Sequence, residues 1–137
     1  MQIKEVLKTE EKTKNLKVFD LEERTVRFGE NVIIFAKKIP KTPINIPIIT
    51  QVVKSWTSLG ANYHETDSAE SKKDFVHKMG ICKKEAKETK YWFRILQTAI
   101  SEYPDLVTEA KVYLKEAQEF ILIFSAIINK SKIGKEV

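Results

Sequence analysis

Residues 71–100 read SKKDFVHKMGICKKEAKETKYWFRILQTAI. The run contains no proline and a single glycine, Gly80. At about 100° per residue, with Lys72 set to zero, eight side chains fall in one sector between about 240° and 340°. They are Phe75, Met79, Cys82, Ala86, Thr89, Phe93, Leu96 and Ile100. So long and narrow an apolar stripe predicts one amphipathic helix over 72–100. Ser71 and Asp74 supply a capping box at its start.

Upstream, Asp20 stands as an N-cap with Glu23 three residues on. Leu21, Thr25, Phe28, Val32, Phe35, Ala36 and Ile39 then recur at helical spacing. This predicts a helix near 21–39, ended by Pro40 and Pro43. A second helix is expected near 46–65, with Pro47 suited to its first turn. Ile49, Val52, Val53, Trp56, Leu59, Gly60 and Tyr63 line one of its faces. A mid-helix glycine costs about 1 kcal/mol against alanine. Gly60, with Ser55 and Ala61, is therefore expected to mark the close approach of another backbone.

Downstream, Pro104 and Asp105 open a fourth helix near 104–131. Its apolar face is Leu106, Ala110, Tyr113, Leu114, Ala117, Phe120, Ile121, Phe124, Ile127 and Ile128, and it stops before Gly134. Residues 1–19 read as a polar, lysine-rich arm and 133–137 as a tail. Four amphipathic helices with short links and no strand alternation predict an all-α, antiparallel up-down four-helix bundle over 20–132. Thr42–Pro47 is no strand, because two prolines interrupt it.

The chain has 137 residues, 42% apolar and 31% charged, the composition of one globular domain. Its single cysteine, Cys82, forms no intrachain disulfide and fits a cytoplasmic setting. The N-terminal stretch lacks an apolar core of signal-peptide length. The longest apolar run, Phe120–Ile128 broken by Ser125, falls well short of the roughly 18 residues of a membrane span. No membrane partner is expected.

Charge is unevenly distributed. Residues 72–94 hold eight basic groups against three acidic ones, and the rest of the chain balances, so this segment carries the whole net charge of +5. On the helical wheel Lys72, Lys83, Lys87, Lys90 and Arg94 form a band between about 0° and 60°, with Lys73 and Lys84 beside it. Such a band is either a solvated face or a track for nucleic-acid phosphates, at one charge per ~5 Å. Tyr91 adjoins it and could stack on a base. Ile81, Glu85, Glu88 and Trp92 fall at about 160° to 220°, opposite the core stripe. That mixed strip is either the edge of the core or a subunit interface anchored by Trp92 and Ile81. Val112, Leu122, Ile123 and Ala126 on the last helix are apolar away from its core face, in line with an interface.

The residues of familiar catalytic sites are missing from the pattern. Asp74-x-x-His77 is the nearest approach to a bundle di-metal motif, and it has no second copy. No zinc-ligand spacing or glycine-rich phosphate loop occurs. Cys82 points into the core stripe, which disfavours a cysteine–histidine nucleophile pair. The expectation is a non-enzyme with no metal and no cofactor.

The run GANYHETDSAESKKDFVHKMGICKKEAKETKYWFRIL, Gly60 to Leu96, and the opening DLEERTVRFGENVIIFAKKIPKT, Asp20 to Thr42, carry a resemblance. The blocks Gly60-Ala61-Asn62-Tyr63-x-Glu65, Ser71-Lys72-Lys73-Asp74-Phe75 and Lys84-Glu85-Ala86-x-Glu88-Thr89-x-Tyr91-Trp92 are its most specific parts. Over about residues 20–131 the chain resembles the small bacterial four-helix bundle proteins encoded in intervening sequences of large-subunit ribosomal RNA genes. The resemblance implies a homo-oligomer, typically a pentameric ring, without catalytic residues. The family is similar in fold to the accessory protein of diversity-generating retroelements, a basic protein taken to bind nucleic acid and a reverse transcriptase. In such a genetic setting a reverse transcriptase is the implied partner. Trp56 departs from the family, which more often has a small residue there, so packing around it must differ.

Two functions fit. The first is a non-enzymatic oligomer that binds RNA, or DNA, through Lys72, Lys73, Lys83, Lys84, Lys87, Lys90 and Arg94. The second is an oligomeric protein-interaction scaffold that binds no nucleic acid. In both, Ile81, Glu85, Glu88 and Trp92 are the candidate subunit contacts.

Overall fold

The computed structural model describes residues 20–136. The arm expected over 1–19 lies outside the described residues. Among those described there are four α-helices and no strand: α1 (Leu21–Lys38), α2 (Asn45–Glu65), α3 (Lys72–Ala99) and α4 (Pro104–Glu136). A 3-10 turn, Thr66–Ser68, links α2 to α3. The helices pack as a four-helix bundle, in which α3 lies against both α2 and α4, and α1 against α2. None is long and apolar enough to cross a membrane.

Local chemistry sets the helix ends. The Asp20 carboxylate accepts from the Glu23 N–H at 3.0 Å, and the Ser71 hydroxyl from the Asp74 N–H at 3.0 Å. The Asp74 carboxylate reaches back to the Glu70 N–H, one residue before the cap. At the other end of α1, Ile39 is extended, as a residue preceding proline should be. The Lys41 ammonium then donates to the carbonyls of Ala36 and Ile39, at 2.8 and 2.5 Å. Buried Asn45 donates through its amide to the Pro40 carbonyl and fastens the α1–α2 corner.

All eight residues of the α3 stripe are buried. All but Thr89 meet Phe28, Val32 and Phe35 from α1, Trp56, Leu59 and Tyr63 from α2, and Phe120 and Phe124 from α4 in one core. Between α2 and α3 the hydroxyls of Ser55 and Thr89 share a buried hydrogen bond of 2.9 Å.

Two expectations are corrected. Gly60 is not a point of close approach, because a Cβ built there meets nothing within 4 Å, and Ala61 is exposed. The tight glycine is Gly29, where a Cβ would lie 2.8 Å from Trp56 Nε1 and 3.0 Å from its Cδ1. The unusual tryptophan of α2 is thus housed by a missing side chain on α1. The second correction is the end of α4, which runs through Gly134 to Glu136 instead of stopping near 131. A glycine ends a helix where the chain turns into the left-handed conformation after it, and residue type alone does not impose that turn.

Gly80 is as open as Gly60. Gly60→Ala and Gly80→Ala are each expected to stabilise the chain by about 0.4–1 kcal/mol, since alanine restricts the unfolded chain and fits both helices. Urea unfolding at fixed protein concentration checks this. A loss of stability at either position would mean that another chain fills the space.

Candidate nucleic-acid interface

α3 spans about 42 Å at 1.5 Å per residue. Its buried stripe fixes its roll in the bundle, and so fixes where the basic band points. Lys72, Lys73, Lys84, Lys87 and Arg94 are exposed, and Lys83 and Lys90 are half-buried. Lys90 leans across the α3–α4 seam, where its ammonium donates to Gln118 Oε1 at 2.6 Å.

At this seam the bundle surface opens into a groove of about 440 Å³, lined by Lys87, Lys90, Tyr91, Arg94, Gln118 and Ile121. Three of the seven candidate cations converge here. Lys83 and Lys84 lie about one turn before Lys87, and Lys72 and Lys73 roughly 20 Å before it at the start of the helix. Gln118 and Ile121 are not among the sequence candidates. They lie at i and i+3 on α4, a spacing that puts both on one side, but one helix's periodicity does not say which neighbour that side meets.

The band is not neutralised from within. Several cations elsewhere are matched: Arg24 reaches Glu116 and Glu119 at 3.4 and 2.6 Å, Arg27 reaches Glu23 at 3.7 Å, and Lys38 reaches Glu109 at 3.0 Å. Lys78, the remaining cation of the 72–94 segment, lies between Glu65 and Asp74 at 3.7 and 3.8 Å. Among the described residues, none of the seven candidates has a carboxylate within the 4.0 Å of an ion pair. Charges of one sign, unpaired along one face, raise the local concentration of polyanions.

The strip of Ile81, Glu85, Glu88 and Trp92 is divided. Glu85 accepts from the Ser58 hydroxyl at 3.1 Å, so its carboxylate is turned toward α2 of the same chain. Glu88 is exposed and Ile81 half-buried. Trp92 is half-buried against the edge of the core, its ring perpendicular to that of Tyr91 with centroids 5.0 Å apart.

Cys82 lies fully buried, and that burial pushes its thiol up to about 12. It therefore stays protonated, a poor nucleophile. His64 meets Glu22 at 3.0 Å across the α1–α2 seam, and His77 is exposed. Among the described residues no three histidine, cysteine or acidic side chains are grouped to hold a metal ion.

A family model described as "23S rRNA-intervening sequence protein" matches residues 14–122. Among curated proteins none matches. Among solved structures, the chain is similar to a protein of unknown function from the S23 ribosomal protein family of Bacteroides thetaiotaomicron VPI-5482. The two are 25% identical with a TM-score of 0.68, over 79% of this chain and 94% of the other. The family model spans the segment that carries the basic band, and the chain belongs to the 23S rRNA-intervening sequence protein family.

Proposed function

We propose that this protein binds nucleic acid, without catalysing a reaction on it, through the basic face of α3, and that it does so as a homo-oligomeric ring of antiparallel up-down bundles. The observation that carries the binding is that Lys72, Lys73, Lys83, Lys84, Lys87, Lys90 and Arg94 have no carboxylate partner among the described residues. Carboxylates pair with Arg24, Arg27, Lys38 and Lys78, but none reaches the seven cations gathered on this one face, which favours an external anion. Phosphates spaced along a strand suit cations spaced along a helix.

The cross-helix pairs support the antiparallel order. Arg24, early in α1, meets Glu116 and Glu119, whereas Lys38, at its end, meets Glu109 near the start of α4. Exposed apolar side chains support assembly: Ile34 and Val112 are each 56% exposed, and Leu122 is 59% exposed. The ring predicts a light-scattering mass several times the 15.9 kDa of one chain at tens of micromolar. A monomer at that concentration would remove the oligomer from the proposal.

Gel-shift titration with a structured RNA, single-stranded DNA and duplex DNA at low salt tests the binding itself. Wild-type protein is expected to shift at least one of them below about 10 μM, the range of non-specific electrostatic binding. The variant Lys87→Gln/Lys90→Gln/Arg94→Gln is expected to lose most of that affinity. If no probe shifts, or the variant matches wild type, the protein-interaction scaffold is the better reading.

A further inference from the structure

The groove at the α3–α4 seam differs from the rest of the basic band. It adds an exposed aromatic ring and a held amide to the cations. Tyr91 is 55% exposed beside Lys87 and Arg94. Its ring is backed edgewise by Trp92, which is itself packed against the core, so the tyrosine is a supported platform and not a free side chain. Across the seam, Gln118 uses its carbonyl oxygen to accept from Lys90. Its amide N–H₂ then has no partner among the described residues and remains available as a donor.

These groups suit different parts of one nucleotide. Lys87 and Arg94 stand seven residues apart, about 10.5 Å along the helix, and bracket the tyrosine. They can each take a phosphate oxygen on either side of a base lying on Tyr91. Gln118 lines the same space, and its amide offers a hydrogen bond to a base or sugar oxygen. A volume of about 440 Å³ accommodates a nucleotide-sized group. In a duplex the base faces are stacked on one another, so a side-chain ring reaches one only after unstacking. In single strands and loops the base faces are free, and aromatic stacking on them is largely independent of sequence.

We infer that this groove holds one unpaired nucleotide, its base stacked on Tyr91 and its flanking phosphates held by Lys87 and Arg94, so that the protein prefers unpaired over duplex nucleic acid. The inference rests on the nucleic-acid reading above. The shared ligand chemistry is an unstacked base between two phosphates, which an RNA loop and a DNA single strand both present.

Fluorescence anisotropy at low salt with three labelled probes decides it: a 12-nucleotide RNA, the DNA of the same sequence, and the 12-base-pair DNA duplex. One or both single strands are expected to bind at least about tenfold more tightly than the duplex, the scale of one stacking contact. Tighter binding of RNA than of DNA would identify RNA as the source, and equal binding any unpaired strand. Tyr91→Ala should weaken single-strand binding about 10- to 100-fold while duplex binding stays within twofold. Tyr91→Phe, which keeps the ring, should restore the preference. Duplex binding as tight as single-strand binding overturns the inference but leaves the electrostatic reading standing. So does an equal loss for all three probes in Tyr91→Ala. Failure of every probe to bind overturns both.

Discussion

Trp56→Ala is expected to destabilise the protein by about 3–5 kcal/mol, the cost of emptying a large aromatic site in a core. For a chain of this size that lowers the melting temperature by roughly 10–20 °C. The indole is buried, stacked on Phe28 with centroids 4.0 Å apart and set edgewise to Phe120 at 5.1 Å. Its N–H donates to the Thr25 carbonyl at 3.2 Å, so its one polar atom is satisfied inside the bundle. Tryptophan and glycine act here as a pair, and the pairing predicts a change of sign. In the wild type, Gly29→Ala puts a methyl within 2.8–3.0 Å of a rigid ring and should cost about 1–3 kcal/mol of strain. With Trp56 already alanine, the ring is gone and the same methyl should gain up to about 1 kcal/mol in helix propensity. A double-mutant cycle by urea unfolding, at one protein concentration throughout, measures the coupling. Additive effects would mean that the two positions do not share the space the structure gives them.

The second large effect is on salt dependence. If Lys87, Lys90 and Arg94 each take a phosphate and two subunits hold one strand, the slope of log affinity against log salt should be about −4 for a single strand. Between 50 and 200 mM salt the affinity then falls roughly 250-fold. The triple glutamine variant removes these contacts, so its slope should flatten by about 4, leaving only what Lys72, Lys73, Lys83 and Lys84 contribute. Its fold should be unaffected, since Lys87 and Arg94 are exposed, and glutamine at 90 can still reach the Gln118 amide. Titrations at four salt concentrations, with the circular dichroism melt of the variant as control, read both quantities. A slope shallower than about −1 in the wild type would mean that fewer than two phosphates are engaged. Binding of that kind would have to come from apolar contacts instead.

Much of the architecture is legible from local rules. The α3 stripe buries the residues its 3.6-residue period selects, because one helix of regular pitch can turn only one face to the core. Asp20 and Ser71 cap α1 and α3 as their side chains require, since a cap is a bond between residues three apart. The positive charge of 72–94 is likewise read off directly. What one helix's pattern does not contain is the identity of its neighbour at each angle. It does not say that Glu85 turns to Ser58 of α2, or that Lys90 turns to Gln118 of α4. The wheel leaves Lys87 and Arg94 as two charges among seven. Packing of α3 against α4 brings Gln118 and Ile121 to them and makes a groove. The glycines show the same division. Gly60 and Gly29 both cost helix propensity, but only a contact between α1 and α2, 27 residues apart in the chain, makes Gly29 the one that must be small. Period and capping are set within a few residues, whereas close approach, seams and grooves belong to pairs of helices, whose relative position is decided by how the whole core fills.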